Sequence, residues 1–134
     1  MSSERWILTG IADPAILEPI KKAIAAAGHR TTPADSLDEC ADLVRRRTFL
    51  CAIFDRSFFH KAIRKCPFGV PTYTVLVATS ANEIPAALTL QAEGKIHDWI
   101  AAPVVKEAVQ ALLLRAKTFL RTTGELETIK NSHA

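Results

Sequence analysis

The feature that most constrains this chain is Phe49-Leu50-Cys51-Ala52-Ile53-Phe54, an unbroken apolar run that stops abruptly at Asp55. It has the length of a strand and shows no alternation, as expected for a parallel strand covered on both faces. Thr74-Val75-Leu76-Val77-Ala78 repeats the pattern and ends at Thr79-Ser80. Around these runs the chain alternates. Trp6-Ile7-Leu8-Thr9-Gly10-Ile11 is a short apolar run, and Asp13-Pro14 after it suits a helix start, with Pro in the first turn. Ile16, Ile20, Ala23, Ile24 and Ala27 recur at helical spacing up to Gly28, which sits where a C-terminal cap belongs.

The remaining elements follow the same rhythm. His29–Thr32 is a weak, polar strand suited to a sheet edge. Ser36-Leu37-Asp38-Glu39 has capping-box spacing, with Leu37, Cys40, Ala41 and Val44 on the buried face and Arg45-Arg46-Arg47 closing the helix. A short helix is expected around Phe58–Arg64, then a loop at Cys66-Pro67-Phe68-Gly69. Pro85 opens a helix that stops near Gly94, and Ser80 before it is placed as an N-cap. Asp98-Trp99-Ile100-Ala101 is a last short strand, stopped by Ala102-Pro103. From Val104 a long helix is expected, with Val105, Ala108, Val109, Leu112, Leu113, Ala116 and Leu120 facing inward. Strands alternating with helices imply right-handed crossovers and a parallel sheet covered on both faces. Ligands of such sheets sit beyond the carboxyl ends of the strands. That rule directs attention to Ile11–Asp13, Asp55, Ser80 and Ala102.

Composition narrows the function classes. The 134 residues are 49% apolar, enough for one core and too few for two ordinary domains. With 17 Lys+Arg against 14 Asp+Glu, the net charge of +3 gives no electrostatic case for nucleic acid. No apolar run approaches the roughly 20 residues of a membrane span. The start, Met1 to Trp6, has no signal-peptide core, so a cytoplasmic location is expected. Cys40, Cys51 and Cys66 form no CxxC and read as reduced side chains, Cys51 as a small core residue. His29, His60, His97 and His133 are scattered and share no metal-ligand spacing. There is no Gly-rich nucleotide loop, no GxSxG elbow and no nucleophile–base pair. The expectation is therefore a non-enzymatic domain without a cofactor.

At the four strand ends the sequence resembles the receiver domain of two-component response regulators, over roughly residues 5–121. The residues that carry the resemblance are Ile7-Leu8 with Asp13-Pro14, Ile53-Phe54-Asp55, Pro71 with Thr79-Ser80-Ala81, and Asp98-Trp99-Ile100-Ala101-Ala102-Pro103-Val104. The resemblance implies a flavodoxin-like (βα)5 three-layer sandwich with a five-stranded parallel sheet in the order 2-1-3-4-5. It makes Asp55 the phosphoacceptor candidate, against the alternative of an exposed loop carboxylate. It makes Ser80 and Trp99 the switch candidates. The Mg²⁺-binding acidic pair of the family falls on Ile11 and Ala12, with Asp13 one residue beyond as a single carboxylate. The family's lysine falls on Ala102, before a proline bond that is cis in the family. The charged elements are lost, so a degenerate or pseudo-receiver acting through protein–protein contacts is expected.

The same resemblance implies a homodimer through the face of the fourth helix, fifth strand and fifth helix, including Leu88, Trp99 and Val109. It also names a histidine kinase and a downstream output domain as partner classes. Leu112, Ala116, Phe119, Thr123 and Leu126 form a heptad-like stripe, so residues 122–134 are expected to be a helical extension or linker. Two other functions stay open: a phosphorylatable receiver with phosphate on Asp55, and a small α/β ligand-binding or enzyme module.

Overall fold

A strand covered on both faces must bury every residue it has, and two strands here do so. The computed structural model describes residues 6–34, 36, 38, 39, 42, 43, 49–65 and 73–133. Strands β1 (Trp6–Gly10), β2 (Arg30–Pro33), β3 (Cys51–Asp55), β4 (Tyr73–Ala78) and β5 (Asp98–Ala101) form one sheet in the order β2-β1-β3-β4-β5. All neighbours run parallel. Every residue of β3 and β4 is buried, whereas β2 lies at an edge with none buried. This is the expected flavodoxin-like arrangement and the expected strand order.

Successive strand residues point to opposite faces, which divides the core in two. Ile7, Ile53, Val75, Val77 and Ile100 meet helices α1 (Pro14–Ala26) and α4 (Lys106–His133) through Ile20, Ala23, Ile24, Val109, Leu112, Leu113 and Ala116. Leu8, Ala52, Phe54 and Leu76 meet α2 (Arg56–Lys65) and α3 (Ile84–Ala92) through Phe59 and Ala87. Each fully buried Leu, Ile or Phe contributes roughly 1.5–3 kcal/mol of transfer free energy, so both faces add to stability. Among the described residues no helix is long and apolar enough to cross a membrane.

The element ends obey local chemistry. The Asp13 carboxylate accepts the Ala15 N–H at 2.9 Å, and Pro14 takes the first helical position of α1. Gly28 follows α1 at φ +86° and Gly94 follows α3 at φ +77°, backbone that a side-chain-bearing residue rarely adopts. Ser36 Oγ accepts the Glu39 N–H at 3.1 Å, the first half of the expected capping box. Asp38, Glu39, Asp42 and Leu43 are helical. Leu37, Cys40, Ala41, Val44 and Arg45-Arg46-Arg47 lie outside the described residues, as do Cys66-Pro67-Phe68-Gly69 and Pro71. The Ala102–Pro103 bond is cis.

Helix α4 departs from expectation at its start. Val105, expected inward, precedes the helix and is 53% exposed. The buried stripe instead runs from Val109 to Ala116 and tapers into half-buried Phe119 and Leu120. Leu112 and Ala116 are wholly enclosed by the domain's own core, so they supply no seam for another helix. The helix nevertheless continues for 28 residues in all, about 42 Å at 1.5 Å per residue. The side chains of Thr123 and Leu126 lie outside the described residues.

One position in β1 tolerates no side chain. The rings of Phe54 and Phe58 stack with centroids 5.3 Å apart and planes 17° from parallel. A Cβ on Gly10 would meet Cδ1 of both rings at 2.7 Å, well inside contact distance. Gly10→Ala is therefore expected to lower stability by about 1–3 kcal/mol, the usual cost of overpacking. Urea denaturation checks this, with a lower midpoint at unchanged slope; a wild-type midpoint would show that the ring pair yields freely.

Candidate functional site

Parallel strands bring their carboxyl ends to one edge, and there the loops after β1, β3, β4 and β5 gather. The register sets Gly10 beside Phe54 and Asp55 beside Val77. Asp55 thus sits at the centre of that edge. It is only 9% exposed, which corrects the alternative of an exposed loop carboxylate. Its Oδ2 accepts the Ala12 N–H at 2.9 Å, and its Oδ1 accepts the Phe58 N–H at 2.8 Å. The second bond is an N-cap on α2; the first ties the loop after β1 to the end of β3. Both carboxylate oxygens are engaged by main-chain amides.

The other expected positions carry less charge and different contacts. Ile11 is buried in the core, and exposed Ala12 brings only its amide to Asp55. The Asp13 carboxylate is occupied in capping α1. Half-buried Ala102 donates its N–H to the Ala78 carbonyl at 2.8 Å, continuing the sheet's ladder. Ser80 takes the N-cap position of a short 3₁₀ turn (Ala81–Glu83), but its hydroxyl makes no capping bond. Glu83 supplies the closure, its Oε1 accepting the Thr79 N–H at 2.8 Å. The expected capping role of Ser80 is corrected accordingly: the longer carboxylate reaches back from the turn. Trp99 is half-buried on the edge strand β5 and packs against the core cluster that contains Leu76 and Ala87.

A Mg²⁺ ion needs oxygen ligands in near-octahedral array, usually with one or two carboxylates. Ile11 and Ala12 have no side-chain oxygen, and the Asp13 carboxylate is taken up in capping α1, which leaves Asp55 as the one carboxylate among these positions. Among the described residues no three His, Cys, Asp or Glu side chains come together as ligands. The residues present do not fit this ion.

A cleft of about 430 Å³ opens beside Asp55, lined by Ala12, Ser36, Asp38, Ser57, Phe58 and Lys61. It lies toward the loops after β1 and β2 and includes neither Ser80, Trp99 nor Ala102. Ser57, Phe58 and Lys61 were not among the residues expected from sequence. A signal existed: Phe58 and Lys61 follow Asp55 at steps of three, which puts them on the helix face above the aspartate.

With that geometry in place, comparison with known proteins adds the fold class. No family profile matches the chain, and no curated protein matches it. Solved structures do. The structure of an adenylate cyclase from Rhodopirellula baltica superposes with a TM-score of 0.73 at 16% identity, covering 94% of this chain and 97% of that one. NtrX from Brucella abortus gives 0.75 at 16%, covering 92% of this chain, which spans only 29% of NtrX. The receiver domain of the sensor histidine kinase PA1611 from Pseudomonas aeruginosa, with a magnesium ion coordinated in its active-site cleft, gives 0.64 at 18%, covering 83% and 95%. Structures that this chain resembles are CheY-like receiver domains of response regulators. The chain has their fold.

The two amide bonds assign Asp55 a structural task that can be measured. Asp55→Ala removes both acceptors and is expected to cost about 2 kcal/mol, the upper end for a lost N-cap. Asp55→Asn keeps one acceptor oxygen and should lose less. Denaturant titration of the three proteins checks the order; an alanine variant as stable as wild type would contradict it.

Proposed function

We propose that this chain is a receiver-like regulatory domain of a two-component-type regulator, of the degenerate pseudo-receiver kind, signalling through protein–protein contacts. One observation carries this reading: the acceptor aspartate has both oxygens bonded to main-chain amides, with Ile11, Ala12 and Ala102 where the chemistry needs charge. Phosphoryl transfer depends on positioning and electrostatic stabilisation, and those side chains provide neither. Asp55 instead ties the loop after β1 to the first turn of α2, which suits a scaffold.

The partner in this reading is a second copy, bound through the face of α3, β5 and α4. Leu88 stands 50% exposed on α3 and Trp99 is half-buried on β5. Val109 takes no part, because it is wholly buried. In this reading residues 5–121 are the domain and 122–134 an extension toward an output module; α4, whose last residues packed on the core are Phe119 and Leu120, runs on to His133. A single helix of that length is marginal in water without a packing partner, which favours association there.

A second reading keeps the chemistry. Asp55 borders an open cleft, so a phosphodonor or a histidine kinase has a route to it. Incubation with a small phosphodonor and Mg²⁺, followed by intact-mass measurement, separates the two. No phosphoryl adduct is expected on the wild type; an adduct that Asp55→Asn abolishes would overturn the pseudo-receiver reading. Light scattering tests the dimer: a concentration-dependent dimer is expected, weakened by Leu88→Glu, and a strict monomer at high concentration would remove that part.

A further inference from the structure

The amino ends of β4 and β5, at the sheet edge opposite Asp55, hold a second constellation that the proposed function does not use. Tyr73 opens β4, Asp98 opens β5, and His97 immediately precedes it. The Tyr73 hydroxyl donates to Asp98 Oδ2 at 2.9 Å, and Arg115 Nε of α4 donates to the same oxygen at 2.6 Å. The other oxygen, Oδ1, accepts the Trp99 N–H at 2.9 Å. Burial, with the Asp98 charge adding, pushes the Tyr73 hydroxyl up to about 12, so it stays a proton donor at any ordinary pH.

His97 is locked into this group. Its Nδ1 accepts the Thr74 N–H at 3.0 Å, its own N–H donates to the Thr74 carbonyl at 2.9 Å, and the Gln91 side chain of α3 donates to its carbonyl at 3.0 Å. The imidazole stacks on Tyr73 (centroids 5.2 Å apart, 22°) and tilts against Phe119 of α4 at 4.6 Å. Phe119 also meets Tyr73 at 5.3 Å. Phe119 and Leu120 are the last apolar residues of α4 packed on the core; Arg121 and Thr122 are exposed.

Tautomer chemistry makes the arrangement sensitive to a proton. A ring whose Nδ1 accepts carries its hydrogen on Nε2, and a protonated Nδ1 has no lone pair with which to accept. Among the described residues, Tyr73 of β4 stacks on the ring and the Asp98 charge of β5 acts on it, Asp98 being itself paired with Arg115 of α4. Burial lowers His97 from its ordinary 6.5, and attraction to Asp98 opposes this without reversing it.

We infer that His97 is a pH-responsive clasp that seats the end of α4 on the sheet. The neutral ring joins the Thr74 amide to the Phe119 ring; protonation breaks the first contact, so the ring on which Phe119 rests loses its anchor on β4. Because the folded protein disfavours the proton, the clasp's stabilisation is complete above 6.5 and is lost as pH falls toward the lower folded value. The idea rests on α4 being the helix that carries the output.

NMR titration of the full chain at low protein concentration tests it. The Thr74 amide and the Phe119 ring should shift together with one midpoint below 6.5, and amides after Leu120 should lose protection at the acid end. His97→Asn, whose Oδ1 replaces Nδ1 as an acceptor that does not titrate, should abolish the joint shift. Phe119→Leu, which keeps the apolar contact but uncovers the imidazole, should raise the His97 midpoint toward 6.5. Titration of His97 with no response at Phe119 or beyond Leu120 overturns the clasp, as does an unchanged transition in His97→Asn. A clasp that titrates in a protein shown by light scattering never to dimerise keeps this inference and removes only the dimer.

Discussion

Coverage of β3 and β4 on both faces is the constraint from which the rest of the molecule follows. Every residue of those strands is buried, so their neighbours must be strands and both sides must be roofed by helices. Parallel pairing then sends all five carboxyl ends to one edge and all five amino ends to the other. Chemistry near either edge of the sheet's centre has to come from residues that terminate strands, because the interiors of β1, β3 and β4 have no polar side chain beyond Thr9 and Thr74. Asp55 is one such terminating residue, and Tyr73 and Asp98 are the corresponding residues at the opposite edge.

The two edges resolve the problem of a nearly buried carboxylate differently. Asp55 is satisfied by main-chain amides alone, one from the loop after β1 and one from the first turn of α2. Each oxygen holds one main-chain amide, so the backbone alone fixes where the carboxylate points. Asp98 is satisfied by side chains: a phenol, a guanidinium and one amide. A carboxylate held by amides is fixed as rigidly as the backbone itself. A carboxylate held by side chains on different elements instead couples those elements, here β4, β5 and α4.

Much of this fold was legible in the sequence, and the reasons are local. The apolar runs gave the covered strands, Asp13-Pro14 gave the start of α1, and Gly28 and Gly94 sit in the left-handed backbone that ends a helix. The position of Asp55 was legible for the same reason, since an apolar run must end where its cover ends. Its bonding was not. The amide that reaches Oδ2 comes from 43 residues earlier in the chain, and only the register between β1 and β3 brings it there. Ser80 makes no side-chain cap because the Glu83 N–H three residues on is already taken by the Ser80 carbonyl at 3.1 Å. Val105 and Val109 were both placed inward by periodicity, yet the helix begins only at Lys106, so one is exposed and the other is core. Lys61 was missed because attention to strand ends passes over the helix that follows them.

The contrast between the edges also bears on how a domain of this kind transmits anything. On the pseudo-receiver reading proposed above, no new charge is created at the carboxyl edge, so a switch there lacks a driving term. The amino edge holds a titratable ring, a buried carboxylate and an aromatic contact to α4, which runs on past the core. A conformational equilibrium is moved only by an interaction that differs between its states. Of the described polar groups, His97 is one whose principal acceptor bond disappears on a single protonation, at a pH below the ordinary 6.5. On the two readings proposed above, the differential interaction therefore lies at the edge away from Asp55 rather than at Asp55 itself.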